Sequence, residues 1–420
     1  MLRTLPAIGS FQKILLGLCC NIIWIGPGVL HSLAEDWPMW RGPRGDGLSH
    51  ESEAPLNWSS TENIAWRVEV PGSGRSSPVI QSNGVYLTTF TESDRARRLL
   101  RYDRKTGHLD WDTVIHLGDV ENQHKFNTSA SATPVCDEKR VYCTFVDSER
   151  MIVAAVDHSG EVVWKTSPGS YFSKHGFAAS PALCEEGLII NGHQDGSAFV
   201  VMLDPKSGEE RWRYRPEKDL RSFSTPLVIE SHGKRQIVLA GAKQTLALDP
   251  GSGNKIWSVD GPTEKVVCTP SFGLGHVFSF GGSPDTRAIA IALRSAGGPI
   301  QSEIVWTKER AMPYVPTPLL YGEYLHVIDD MGIYQCIEPV SGKVLKMQRK
   351  GGNTYSSPIG VANRVYMFDD TGLCTVIENN GEFRVLARNP LDELIQTTPA
   401  ISDGQLFIRG ERHLWCIGTE

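Results

Sequence analysis

The sequence predicts an all-β fold: an eight-bladed β-propeller of four-stranded antiparallel blades, closed by pairing of the N-terminal strand with the last blade. Three observations predict it. First, an Asp–turn–Gly–Trp pattern recurs in "LALDPGSGNKIW" (246–257), "YDRKTGHLDW", "VDHSGEVVW" and "LDPKSGEERW", with the Trp always four residues after the Gly. Asp and Ser bond the backbone of such a turn and Gly accepts positive φ. The Trp then opens the next strand, where its wide ring packs on a neighbouring unit. Second, a Ser-Pro or Thr-Pro pair opens an apolar strand at Pro78, Pro134, Pro181, Pro226, Pro270, Pro318, Pro358 and Pro399. Their separations are 56, 47, 45, 44, 48, 40 and 41 residues, and four short strands per unit at a period in the forties mark a propeller. Third, the last unit, "TPAISDGQLFIRGERHLWCIG", holds only three strands. The segment "ENIAWRVEV" (62–70) supplies the fourth, which puts Trp66 at the repeat position and removes an open edge.

The elements follow in chain order. Residues 1–34 read as a secretory signal peptide. "MLRTLPAIGSFQK" carries only the positive charges Arg3 and Lys13, the apolar run "ILLGLCCNIIWIGPGVL" follows, and Ser32 and Ala34 suit cleavage after Ala34. Gly26-Pro27-Gly28 argues against a spanning helix, so the mature chain is expected to have no transmembrane domain. An uncleaved anchor is the alternative, and Leu18 before Cys19 disfavours lipidation. Residues 35–56, "EDWPMWRGPRGDGLSHESEAPL", are a leader arm. Its Trp37 and Trp40 pack onto the outside of the propeller or across its face, or else ride on a mobile arm. Residues 57–420 are the propeller, with degenerate turns in "IEPVSGKVLK" (337–346) and "IENNGEFRVL" (377–386) and a lengthened one in "ALRSAGGPIQSEIVW" (292–306). The closure predicts that deleting 57–70 costs far more stability than deleting 35–45.

Composition narrows the function classes. A chain of 420 residues with 21% charged residues buries a large core. A net charge of −6 gives no support to nucleic-acid binding, which needs a basic stripe. There is no Gly-x-Ser-x-Gly elbow, phosphate-binding Gly-x-x-x-x-Gly-Lys loop or Cys-x-x-Cys pair. Seven of nine cysteines lie beyond residue 34. Cys136 and Cys143 flank the turn "DEKR", and only strand register decides whether they bridge.

The Asp-x-x-Thr/Ser-Gly-x-x-x-Trp repeat resembles the tryptophan-docking motif of the pyrroloquinoline-quinone (PQQ) propeller family. It is carried by Asp103/Thr106/Gly107/Trp111, Asp204/Ser207/Gly208/Trp212 and Asp249/Ser252/Gly253/Trp257, with Asp157/Gly160/Trp164 one residue shorter. The resemblance spans 57 to 420, and "DWPMWRGPRGDG" is similar to the leader of exported PQQ-like proteins. It implies two functional branches. One comprises quinoprotein dehydrogenases, with PQQ and calcium in a central funnel and an Asp as base. The other is non-catalytic and includes the propeller lipoprotein of the outer-membrane β-barrel assembly machinery. The dehydrogenase branch implies a vicinal disulfide, yet the one adjacent pair here is Cys19-Cys20. It also implies a tryptophan floor, and the eleven Trp fall to the signal, leader, repeat sites, closing strand or last blade. The expected function is therefore an exported non-catalytic binding or scaffold protein of the periplasm or cell envelope, monomeric, contacting a protein or polymer. It is expected to carry neither cofactor nor metal. The alternative is a PQQ- and calcium-dependent oxidoreductase acting on an alcohol or sugar, with the quinone as small-molecule partner.

In a propeller, the loops leading into each first strand share a face with the hairpins between second and third strands. Those lead-in loops carry Arg75, Lys125, Lys174, Arg221, Lys265 and Arg310, a collar able to hold an anionic ligand. The bland reading is solvated loop charge, diluted by Asp219, Glu264, Glu309, Asp392 and Glu393. The candidate ligand-binding set on this face is Arg75, Lys125, Asn127, Lys174, His175, Arg221, Tyr314 and Tyr355. No catalytic residue is assigned. His124, His175, His193 and Asp195 lack a close metal-ligand spacing, and hairpin turn chemistry accounts for Asp329-Asp330 and Asp369-Asp370.

Overall fold

The computed structural model describes residues 35–418. The expected signal peptide lies outside the described residues. Thirty-two strands form eight four-stranded antiparallel sheets, with no helix among the described residues. Each marker Pro immediately precedes a blade's first strand. Blade 1 opens at Val79, blade 2 at Val135, blade 3 at Ala182 and blade 4 at Leu227. Blades 5 to 8 open at Ser271, Leu319, Ile359 and Ala400. Blade 8 takes its outermost strand from Ile64–Glu69, which pairs with His413–Ile417 in the register Trp66↔Cys416 and Val68↔Leu414. The core lies between blades, as where Val79, Tyr86 and Leu99 of blade 1 meet Val141, Cys143 and Ala154 of blade 2.

The residue before each marker Pro has a job that the sequence did not disclose. Each of these Ser or Thr residues donates its backbone N–H to the hydroxyl of the equivalent residue one blade on. The chain of bonds runs Ser77→Thr133→Ser180→Thr225→Thr269→Thr317→Ser357→Thr398 and back to Ser77. All eight lie between 2.9 and 3.3 Å. Proline holds the preceding residue extended, and a hydroxyl there satisfies a buried N–H with no secondary-structure partner. A closed belt around the axis results.

The Trp motif is the matching joint at the periphery. The ring of Trp66, Trp111, Trp164, Trp212 or Trp306 covers the turn Gly of the next blade. A Cβ at Gly107, Gly160, Gly208, Gly253 or Gly342 would come within 2.6–3.0 Å of that ring. Each indole N–H donates to the carbonyl one residue past the turn acid, at 2.8–3.1 Å. The acid binds the turn from inside: Asp249 Oδ1 accepts from the Ser252 N–H and hydroxyl. Where the next turn is lengthened, the joint changes. Trp257 donates to Gln236 Oε1 instead, and nothing lies within 4 Å of a Cβ on Gly297.

The leader crosses the face opposite the lead-in loops. Trp37, only 1% exposed, exchanges two backbone hydrogen bonds with Ile80, and Pro38 O accepts from Cys136 N. Arg41 is fully buried. It donates to the carbonyls of Thr317, Pro318 and Pro358 in blades 6 and 7 and to Asp46 O. Gly47 O and Ser49 N bracket Gly360, and the Glu51 carboxylate takes the Asp403 and Gly404 N–H groups of blade 8. Of the arrangements the sequence left open for Trp37 and Trp40, packing across the face is the one found.

The seven described cysteines are free. Cys136 stands opposite Val141, which leaves Cys143 off its register.

Candidate functional site

The leader crosses one end of the central channel and the lead-in loops leave the other open, while the belt residues Ser77, Thr133, Ser180, Thr225, Ser357 and Thr398 line the space. Between them lies a funnel of about 610 Å³ on the lead-in-loop face. Its lower end meets Trp40, which also borders a groove of about 300 Å³ on the opposite face, lined by Met39, Pro43 and the first strands of blades 3 and 4. Trp40 thus separates the two spaces, with the Arg41 guanidinium 5.8 Å from its ring centroid. The expectation that no tryptophan is left for a floor is therefore corrected. It counted Trp40 as leader packing, but the leader itself reaches the axis.

At the mouth, Phe126 reaches across the axis to Tyr355, with ring centroids 5.5 Å apart. His124 sits edge-on to both Phe126 (5.4 Å) and His175 (5.7 Å). Asn127 Nδ2 and the His124 N–H both donate to His175 O, which ties the lead-in loops of blades 2 and 3 together. Burial, together with the charges of Arg221, Lys265 and His124, holds the His175 pKa below its ordinary value. Burial also raises Tyr314 and Tyr355 and lowers Arg75.

Of the eight sequence-predicted residues, Arg75, Asn127, His175, Tyr314 and Tyr355 line the funnel. Lys125, Lys174 and Arg221 do not appear among the lining residues. The Lys125 ammonium lies 4.9 Å from the Phe126 centroid. Arg221 is paired to Asp195, and the second oxygen of Asp195 accepts the Lys174 backbone N–H at 3.1 Å. His193 is buried against Asn191 Oδ1 at 2.6 Å, with its pKa lowered to about 4 by burial. It does not converge with His124 and His175.

Asp330 is the functional-looking residue that sequence reasoning passed over. Asp329 does cap its hairpin, accepting from Met331 N and Ile333 N. Asp330 lines the funnel instead, accepting from Tyr314 N at 2.7 Å and Val315 N at 3.2 Å. Burial outweighs those two donors and pushes its carboxyl up to about 6. The doubled Asp was the available signal, because one hairpin needs only one capping carboxylate.

The family profile described as "Outer membrane protein assembly factor BamB" matches residues 56–148 and 149–298, more than half of the chain. The chain belongs to this PQQ-like propeller family. No curated protein matches it. Among solved structures it is similar to BamB from Moraxella catarrhalis, at 11% identity and TM-score 0.60, covering 85% of this chain and 97% of that one. It is also similar to the quinohemoprotein alcohol dehydrogenase from Comamonas testosteroni, at 11% identity and TM-score 0.65, covering 92% and 81%. The quinohemoprotein alcohol dehydrogenase ADHIIG from Pseudomonas putida HK5 gives 10% and 0.61, with the same coverage. Identities this low establish the shared fold and leave function to the site.

The site can be tested against the calcium that a quinoprotein dehydrogenase reading would require. Calcium takes six to eight oxygen ligands from carboxylates, backbone and Asn or Gln carbonyls and water. The funnel lining offers one carboxylate, Asp330, whose oxygens already accept two backbone N–H groups, and one buried unpartnered amide oxygen, Gln396 Oε1, well short of six. No group of three His, Cys, Asp or Glu able to hold a metal occurs among the described residues. The donor set does not fit calcium, whereas aromatic walls with Arg75 and Lys265 do suit a flat anion.

Proposed function

We propose that this PQQ-like propeller is a binding protein of the cell envelope that takes a small planar anion into its funnel and presents the surrounding lead-in-loop face to a partner. The funnel carries this reading. It is a preformed concavity with aromatic side chains at its mouth and floor and charged and hydroxyl groups around its walls, a setting that can orient a small polar aromatic molecule. Exposed Leu117, Val120 and Phe172 in or beside the lead-in loops, and Met331 on a hairpin of the same face, support protein contact around the mouth. The N-terminal pattern of residues 1–34 supports export. Thermal shift of the chain from residue 35 with PQQ, with and without calcium, tests the reading. Stabilisation by the quinone that is indifferent to calcium is expected, and no stabilisation by any aromatic acid would defeat it.

A PQQ-dependent oxidoreductase is the second reading, favoured by Asp330. A carboxyl pushed up to about 6 and facing the funnel is suited to accept a proton. Dye reduction with PQQ and a panel of alcohols and sugars separates the two. Turnover that disappears in Asp330→Asn favours the enzyme, and saturable quinone binding without turnover favours the binding protein.

A further inference from the structure

We infer that the funnel selects a planar small molecule with an anionic group at each end, gripped without metal by Arg75 on one wall and Lys265 on the opposite wall. The inference rests on the funnel being a small-molecule site. Arg75 lies in the loop that leads into blade 1, at Val79, and Lys265 in the loop that leads into blade 5, at Ser271. Four blades separate them in a ring of eight, so the two side chains approach the axis from opposite sides, and both line the same cavity.

Several other basic residues of this face are held by carboxylates, whereas among the described residues Arg75 has only one long contact and Lys265 none. Arg221 is paired with Asp195, Arg287 with Glu309 at 2.7 Å, and Lys243 with Glu264 at 3.3 Å. The carboxylate beside Arg75, Glu411 Oε1, stands 3.9 Å away on an exposed side chain, and the buried Arg75 Nε has no partner. Lys265 bonds through its backbone, to Ser283 O at 3.1 Å, and its ammonium has no ion pair among the described residues. A guanidinium grips a carboxylate through two parallel bonds, and an ammonium meets the far end as a point charge. Between them, Trp40 beneath and the Phe126–Tyr355 pair above leave flat apolar surfaces for a ring system. Asp330 is the single lining acid, so no carboxylate cage competes for the ligand through a cation.

The test uses the chain from residue 35 and calorimetry with three probes: biphenyl para,para′-dicarboxylate, biphenyl para-carboxylate and biphenylmethanol, in EDTA and again in calcium. The dicarboxylate is expected to bind about tenfold more tightly than the monocarboxylate, as one charge-assisted contact provides. Arg75→Met and Lys265→Met are each expected to lower its affinity to the monocarboxylate level. Arg287→Met, whose guanidinium is paired with Glu309 outside the funnel lining, should leave affinity unchanged. Arg75→Lys guards against a folding defect and should recover part of the loss. Equal binding of all three probes would overturn the two-ended grip while leaving the funnel as a site. A strict need for calcium would overturn the metal-free grip, and binding of none would overturn the funnel reading itself.

Discussion

Single residues carry unequal loads at positions that look alike in the sequence. Gly253 and Gly297 both hold positive φ, +71° and +85°. A Cβ at Gly253 would meet the Trp212 ring at 2.6 Å, whereas one at Gly297 meets nothing within 4 Å. Gly253→Ala is expected to cost about 2–4 kcal/mol, strain plus a broken joint, and Gly297→Ala about 1–2 kcal/mol, strain alone. Urea midpoints of the two variants check this, and equal losses would refute the joint. In the belt, Thr269→Val leaves the Thr225 N–H buried without its acceptor, a loss of about 1–3 kcal/mol by the same measurement. Asp330 sets a pH dependence. Its pKa is raised from 3.8 to about 6, so the folded state binds the proton more tightly than the unfolded chain. Its stabilising contribution is therefore present below pH 4 and is lost as pH rises through 6. The stability of the native chain relative to Asp330→Asn should fall by roughly 2–3 kcal/mol across that window. A flat difference in denaturation curves taken from pH 4 to 7 would contradict the burial of this carboxyl.

Among the elements, the leader departs most from its sequence reading. It touches blades 1, 2, 6, 7 and 8 through backbone bonds at Ile80, Cys136 and Gly360, the buried Arg41 fork and the Glu51 carboxylate. The predicted contrast, that deleting 35–45 is cheap and deleting 57–70 expensive, must narrow, because 35–45 contains Trp37 and Arg41. Trp37→Ala is expected to cost about 3–5 kcal/mol, as for other fully buried tryptophans. Arg41→Ala strands the Thr317, Pro318 and Pro358 carbonyls and should lower the thermal midpoint visibly. Unchanged melting of both variants would mean that the leader merely rests on the face. The leader's glycines and prolines fit the mobile arm that the sequence also left open. Here they serve turns, such as Gly42 N to Met39 O at 2.9 Å, that fold it flat against the blades.

For the whole molecule, closure is the decisive feature. The ring is fastened twice, by the hydroxyl belt at the axis and by the docking tryptophans at the rim, and the strand Ile64–Glu69 joins the chain's two ends. Deleting 57–70 opens the edge of His413–Ile417 and removes the Trp66 joint to Gly107. Loss of a single cooperative melt and self-association are expected, measurable by calorimetry and light scattering. Retention of one native-like transition would show that the belt alone holds the ring.

Blade number, strand order and closure were legible in the sequence because the repeat is local. A turn acid, its Gly and its Trp lie within nine residues, and each hydroxyl–Pro pair marks one strand start, so the pattern survives without three-dimensional information. The placement of Arg75, Asn127, His175, Tyr314 and Tyr355 on the funnel face was legible, because the propeller rule assigns the face of the loops that carry them, while their binding role is a proposal. The structure alone decided that Arg221 is spent on Asp195, that Asp330 rather than Asp329 faces the funnel, and that Trp40 is its floor. Those outcomes depend on contacts between segments far apart in the chain. Burial, ion pairing and the closing of a channel arise only when eight blades meet around one axis, and no spacing along the chain encodes them.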